Sequence, residues 1–419
     1  MIFSMRILYL SSIFPHGTAR VTGTFNLELC RALAFEHDVR VVAPRSFIEV
    51  WKTRRENRTA DRWVTETTGI EVSYPSYFYT PGFARSLYGE SMRWSVRRHL
   101  GRIVNEFQPE AVVSYWAHPD GEVALRAAQP LGIPSVVIIG GSDVLLLPND
   151  RRRMPKIQRV LRESSAVMTV SEGLRRAVIE LGTEPSRVHT IYQGVDDKLF
   201  FPGDAEAARK KLSLPTDRRL LLWVGRMVAV KGLDTLIAAF DLARHKHSDL
   251  HLLLVGDGPL RAAVQADVER RGLSDHVTFA GTQLPAQLPN WYRAADLCVL
   301  SSWSEGLPNV LREAVACGRP FVSTDVGSVR EIAQSQAGSP FAELVPVGDA
   351  AAMAVAIERV LRPEYLAVAQ SALCRCWRDT AHDLVSLLKS LRGDSNVGQV
   401  SNLPIRSGQV ENLPHEIPV

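Results

Sequence analysis

The sequence predicts an α/β protein of two doubly wound domains facing a cleft. Three observations carry this expectation. Short apolar runs of strand length alternate with amphipathic segments of helix length from the amino terminus onward. The alternation restarts with a new first strand near residue 219. The length, 419 residues, is more than one hydrophobic core usually serves. The expected division is 1–197 and 198–377, then a helix over 378–392 that returns to the first domain, then a tail over 393–419.

Composition excludes several classes. Hydrophobic residues make up 46% and charged residues 22%, as in ordinary globular enzymes. The net charge is +4, and it belongs to the first half, where residues 1–197 hold 25 basic against 21 acidic side chains. So mild an excess does not predict nucleic-acid binding. The five cysteines, Cys30, Cys298, Cys317, Cys374 and Cys376, form neither a disulfide framework nor a zinc pattern, which favours a reducing cytosol. No apolar run approaches the ~18 residues of a membrane span. The apolar start reads as a first core strand, because its charge lies inside the run and no cleavage site follows.

In the first half, residues 5–13 read as a strand, 14–24 as a loop, 26–35 as a helix and 39–43 as the second strand. Gly23, followed by Thr24, stands where N–H groups at a helix start face an anion; a plain tight turn is the equal alternative. Residues 45–90 read as irregular, with Arg54, Arg55, Arg58 and Arg62 and then aromatics from Tyr74 to Phe83. Residues 85–107 read as a basic amphipathic helix carrying Arg93, Arg97 and Arg98 beside Trp94. Such a helix suits an anionic membrane surface, the alternative being a solvated face. Strands over 111–115, 134–139, 166–170 and 187–191 follow. The first of these runs into Trp116-Ala117-His118-Pro119-Asp120-Gly121, which places His118 in a loop at a strand's carboxyl end, where open α/β sheets bind ligands. Residues 193–202 read as a linker.

In the second half, the strand over 219–224 leads into a glycine-flanked loop holding Arg226 and Lys231, then a helix over 233–242. The strand over 251–255 ends in Gly256-Asp257-Gly258-Pro259. Residues 299–331 then make strand, loop, helix, strand. The loop and early helix are Ser304-Glu305-Gly306-Leu307-Pro308-Asn309, and Glu313 is expected about two helical turns in. Free N–H groups and a positive helix end suit a phosphate, and two carboxylates eight residues apart suit sugar hydroxyls. The plain alternative for the glutamates is a solvated helix face. The tail repeats Gly398-Gln399-Val400-Ser401-Asn402-Leu403-Pro404 as Gly408-Gln409-Val410-Glu411-Asn412-Leu413-Pro414, too polar to build a core and read as disordered.

Taken together, Val224-Gly225-Arg226 with Lys231-Gly232, Val255-Gly256-Asp257-Gly258-Pro259, Gln193-Gly194-Val195-Asp196, Glu305-x7-Glu313 and Cys317-Gly318-Arg319-Pro320 resemble the family-4 retaining glycosyltransferases of GT-B fold. The resemblance covers roughly residues 5–390. It implies two Rossmann-like domains, the first on the acceptor side and the second binding a nucleotide sugar. The front half, with Trp116-Ala117-His118-Pro119-Asp120-Gly121 and Gly141-Ser142-Asp143, is similar to members that build bacterial cell-surface polysaccharides.

The resemblance also implies roles. Arg226 and Lys231 hold the donor diphosphate, with Gly256 beside them. Glu313 binds the ribose hydroxyls. Glu305 bonds the transferred sugar, with Gly306, Leu307 and Asn309 lining its loop. Gly23 and Thr24 form an acceptor and phosphate loop, and His118 contacts the sugar or acceptor. Gln193 stands for the family's usual Asn, and Gly327-Ser328 for its usual Gly-Gly.

The expected activity is a retaining hexosyl- or N-acetylhexosaminyl-transferase using a UDP- or GDP-linked donor and a glycan or lipid-linked acceptor. No cofactor or metal is expected. The expected location is cytoplasmic, with peripheral contact at the inner face of the cell membrane. An epimerase or phosphorylase on the same plan and a non-catalytic nucleotide-sugar-binding protein are the rival readings.

Overall fold

The computed structural model describes residues 4–53, 62–82, 84–333, 340–393 and 405–406. Arg54, Arg55, Arg58 and Phe83, and the repeat in the tail, lie outside the described residues. The chain divides into two compact units. The first comprises 1–196, 305–307 and 376–402, and the second 197–304, 308–375 and 403–419.

The first unit is built on seven parallel strands: β1 (Arg6–Leu10), β2 (Asp38–Val42), β3 (Glu71–Ser73), β4 (Ala111–Tyr115), β5 (Ser135–Ile139), β6 (Ala166–Thr169) and β7 (Val188–Thr190), in the order β3-β2-β1-β4-β5-β6-β7. β4 and β5 are buried at every position, as central parallel strands covered on both faces require. The principal helices are α1 (Thr24–Ala34), α2 (Tyr88–Phe107), α3 (Glu122–Ala128), α4 (Met154–Glu163) and α5 (Glu172–Glu180).

α2 buries Met92, Val96, Leu100, Ile103 and Phe107, a helical stripe that packs with Leu8, Leu10 and Val112 of the sheet. α5 begins where Ser171 Oγ accepts the Leu174 N–H at 3.2 Å, satisfying one of the free amides of a helix start.

The stretch expected to be irregular supplies the edge strand β3 and two short helices, Phe47–Lys52 and Trp63–Thr68. β3 has three residues, none fully buried, and one neighbour, β2, so no apolar run marks it in the sequence.

The second unit repeats the plan with β8 (Arg219–Val224), β9 (Leu250–Val255), β10 (Val277–Gly281), β11 (Leu297–Leu300), β12 (Phe321–Thr324) and β13 (Ala342–Val345), all parallel in the order β10-β9-β8-β11-β12-β13. Its helices include α6 (Leu233–Lys246), α7 (Arg261–Arg270), α8 (Leu288–Ala294), α9 (Asn309–Ala316) and α10 (Ala350–Val360). Trp223, Leu236, Phe240, Leu252, Leu254 and Ile357 form its core.

The last long helix, α11 (Trp377–Arg392), belongs to the first unit. It packs on α1, and Thr380 donates to the Tyr192 carbonyl at 2.9 Å. A Cβ on Gly194 would lie 2.0 Å from the Cys376 carbonyl carbon, so this crossing needs a glycine. Of the tail, residues Ile405–Arg406 are described, paired antiparallel with Leu373–Cys374.

Candidate active site

Both sheets reverse their winding beside their first strand, between β1 and β4 and between β8 and β11. Crevices at the carboxyl ends of such strands are where open α/β sheets take ligands. The candidate residues fall on these loops.

In the second unit three loops are tied into one floor. After β8, Lys231 offers its carbonyl to Ser301 Oγ at 2.8 Å, and Trp303 N–H donates to Val230 O at 2.8 Å. Gly232 has φ +58°, and a Cβ there would come within 2.2 Å of the Ser301 carbonyl oxygen. After β9, Gly256 has φ +130°, and a Cβ would lie 1.8 Å from Gly225 O. Met227 N–H then bonds Asp257 O at 2.9 Å. These approaches fix the loop that carries Arg226 and Lys231. Arg226 is exposed, and its side chain forms no hydrogen bond or ion pair among the described residues; Lys231 is half-buried.

Glu313 is the fifth residue of the eight-residue α9, which corrects the expectation of two turns; Pro308 caps the helix and does not sit inside it. Tyr292, on α8, donates its hydroxyl to Glu313 Oε2 at 2.7 Å. Burial raises the Glu313 pKa, while the Tyr292 bond and the nearby Arg312 charge pull it down. Arg312, itself buried, donates to Asn309 Oδ1.

A cavity of about 1060 Å³ also opens in this unit, lined by Val230, Leu233, Leu260, Trp303 and Arg271 among others. Arg226, Lys231 and Glu313 do not line it.

In the first unit the loops after β1 and β4 meet through Asp120. Its carboxylate accepts the Ser12 backbone N–H and, at 3.0 Å, the Ser12 hydroxyl. Burial pushes the Asp120 pKa up to about 7, against the lowering effect of the Ser12 bonds. Gly23 caps α1 with φ +68°, and a Cβ there would lie 2.3 Å from Ile13 O; Thr24 is the first helical residue. Asn26 holds the same loop, donating to Ile13 O at 2.6 Å and accepting from Tyr9 at 2.7 Å.

His118 is 1% exposed. Its Nε2 lies 3.6 Å from Glu122 Oε2, and the Ser86 backbone acts on the ring. Burial, reinforced by Arg153 and Lys156, lowers its pKa to about 4, so the imidazole is neutral at pH 7.

Asp143 is fully buried; its Oδ1 accepts the Gly141 N–H at 2.8 Å, and burial raises its pKa to about 6. Glu305, Gly306 and Leu307 group with this unit. A Cβ on Gly306 would come within 2.5 Å of the Gly140 carbonyl oxygen, so a glycine is required there.

The structure thus brings Arg226, Lys231 and Gly256 together on one loop floor, and Gly23 near the Ser12–Asp120 junction. Sequence reasoning did not single out Asp120, Ser12 or Tyr292. Asp120 was visible in the His-Pro-Asp run. Tyr292 lies 21 residues from its partner, a separation that no local pattern reports.

Comparison with known proteins places the chain in a family. Residues 22–199 match the family described as Glycosyltransferase Family 4, and residues 218–363 that described as Glycosyl transferases group 1. TuaC of Bacillus subtilis, a glycosyltransferase named for teichuronic acid biosynthesis, is 28% identical over 78% of this chain and 83% of its own length. A D-inositol 3-phosphate glycosyltransferase of Acidothermus cellulolyticus is 30% identical over 70% of each chain. Among solved structures, sucrose-phosphate synthase from Thermosynechococcus elongatus superposes with a TM-score of 0.72 at 21% identity, over 93% of this chain and 100% of that one. HepE of Anabaena in complex with UDP does so at 0.68 and 18%, over 93% and 98%.

The two-unit α/β fold is that of the GT-B glycosyltransferases, as the sequence predicts. The chain belongs to glycosyltransferase family 4 and is a glycosyltransferase.

Proposed function

We propose that this enzyme transfers a sugar, with retention, from a UDP- or GDP-linked donor to a hydroxyl of a glycan or lipid-linked acceptor in cell-surface polysaccharide synthesis. The observation that carries the proposal is the tied loop floor of the second unit, which presents Arg226 and Lys231 at the β8/β11 switch point. Two fixed cations there suit a diphosphate. Glu313, held by Tyr292, suits a pair of ribose hydroxyls. A solved neighbour, HepE, carries UDP-glucose in one structure, and the relative TuaC is named for a cell-wall polymer.

In the reaction the bond between the anomeric carbon and the phosphate oxygen breaks, and the diphosphate leaves with the electron pair. The acceptor oxygen bonds the same carbon from the same face, and its proton passes to the departing phosphate. Arg226 and Lys231 stabilise the charge that grows on that phosphate, in place of a metal ion. Glu305 bonds the transferred sugar, with Gly306, Leu307 and Asn309 shaping its loop. Gly23, Thr24 and the neutral His118 serve the acceptor side.

The enzyme acts in the cytoplasm at the inner face of the membrane. No helix among the described residues is long and apolar enough to cross one. α2 exposes Trp94 at 65%, with the Arg97 guanidinium 4.5 Å from its ring centre, a pairing suited to a lipid interface.

The test is direct. Purified protein is screened by thermal shift against UDP, GDP and their sugars, because a bound donor raises the unfolding midpoint by mass action. Donor consumption is then followed with and without a polysaccharide acceptor panel. Stabilisation by a nucleoside diphosphate and acceptor-dependent product with retained anomeric configuration are expected. An inverted product, or donor conversion that needs no acceptor and leaves an epimer, overturns the proposal.

A further inference from the structure

The first unit holds a second cavity, of about 430 Å³, lined by Arg85, Ser86, Asp150, Arg151 and Arg152 with the glycine and alanine of the preceding turn. Its charge is unbalanced. Arg85, Arg151 and Arg152 are exposed, and their side chains form no hydrogen bond or ion pair among the described residues. The single acid of the lining is already engaged: Asp150 Oδ1 accepts the Arg152 backbone N–H at 3.0 Å, and Oδ2 lies 3.9 Å from Arg153 Nε. Arg153, half-buried just behind, is depressed in pKa by burial, and the Arg85 charge adds to that. Like charges crowded there repel one another, and the one carboxylate offsets only part of that repulsion. A concave site of one sign raises the local potential and draws the opposite charge. Guanidinium forks match the paired oxygens of phosphoryl and carboxylate groups.

Position says which substrate the anion belongs to. The two segments that line the cavity lead into α2 and α4, and both helices pack against the 117–121 turn that carries His118, so the cavity and His118 share one neighbourhood. Beside it Glu122 Oε2 is buried without a hydrogen-bond partner among the described residues. The donor diphosphate already has Arg226 and Lys231 in the other unit.

We propose that the acceptor of this enzyme is itself anionic, carrying a phosphoryl or carboxylate group that seats among Arg85, Arg151 and Arg152. This rests on the glycosyl-transfer reading above and adds to it the chemical class of the acceptor.

The experiment uses the full chain in an Arg226→Ala/Lys231→Ala background, so that the donor loop cannot bind the probe. Inorganic phosphate and glucuronate are titrated separately and binding is read by NMR. The Arg151→Ala/Arg152→Ala and Arg85→Ala changes are then added. An apparent Kd for one of the two anions raised about ten-fold or more is expected, since charge-assisted contacts are lost. The Arg151→Lys/Arg152→Lys variant should recover much of it, which separates a charge effect from misfolding. The anion that responds identifies the group, phosphoryl or carboxylate. Equal affinities in all variants for both probes overturn the proposal. So does binding to phosphatidylglycerol vesicles that follows the arginines while both small anions do not, because the arginines then serve a membrane surface. Donor-nucleotide binding by the unaltered chain is measured in parallel. Its absence defeats the glycosyl-transfer reading, whereas an anion titration without response, beside normal nucleotide binding, defeats this inference alone.

Discussion

The Tyr292 hydroxyl donates to Glu313 Oε2 across 2.7 Å, joining helices α8 and α9. The bond holds one carboxylate oxygen in place and favours its ionised form, against the burial that raises its pKa. In Tyr292→Phe that support is lost. A hydrogen bond to a charged group contributes about 1.5–3 kcal/mol, so KM for the donor should rise by about ten-fold or more with little change in kcat. The sign of the pH effect follows. Without the Tyr292 bond Glu313 protonates at higher pH, so donor binding should fail at a higher pH than in the unaltered enzyme. Identical pH profiles of donor affinity would remove Glu313 from the ribose role.

Lys231→Ala should lower turnover by about 10²-fold or more, the scale of losing one positioned charge stabiliser. Its fold should survive, because the Lys231 carbonyl that fastens the loop is kept in the variant. If Arg226 and Lys231 carry the phosphate charge by themselves, EDTA should leave turnover unchanged. Unaltered rates in Lys231→Ala, or loss of activity in EDTA restored by a divalent ion, would refute the scheme.

Asp120 links stability to pH. Its pKa is about 7 in the folded protein and about 3.9 in an unfolded chain. Between those values the folded state holds the extra proton, so this group's contribution to stability falls as pH rises from about 4 to about 7. Asp120→Asn keeps an acceptor for the Ser12 N–H and cannot ionise. Its stability relative to the unaltered chain should therefore climb from pH 5 to pH 8, by at most about 3 kcal/mol, because about two pH units of that window lie below the folded pKa. His118 pulls the opposite way, losing stability as pH falls from about 6.5 to about 4, but it is present in both proteins and cancels. A midpoint difference independent of pH would contradict the assignment.

Gly256→Ala tests the loop floor. The new methyl would meet Gly225 O at 1.8 Å in a backbone conformation that L residues avoid. A strained residue costs on the order of 1–3 kcal/mol, and more where backbone must move. Thermal unfolding should shift down by several degrees, and affinity for a nucleoside diphosphate should fall with it. A variant that binds as tightly as the parent would show that this crossing does not position Arg226 and Lys231.

Much of the second unit's candidate site was legible because its chemistry is local. Glycines flank Arg226 and Lys231 within one loop, and Glu305 and Glu313 belong to one loop-helix segment. The first unit's candidate residues were less legible. His118 was visible as a loop histidine, but its burial and its neutral state depend on elements far away in the chain. The edge strand Glu71–Ser73 escaped notice because three residues with one hydrogen-bonded neighbour need no apolar pattern.

By itself the sequence determined the two doubly wound arrays, the restart near residue 219 and the loops that bear the charges, since strand and helix periodicity and glycine turns are local properties. Tertiary structure alone decided which charges are unpaired and which are held. It set Tyr292 against Glu313, Ser12 against Asp120, and three arginines from two distant segments around one cavity. Each of these depends on the packing of separate elements, and on burial that shifts a proton equilibrium, and neither can be read from neighbours in the chain.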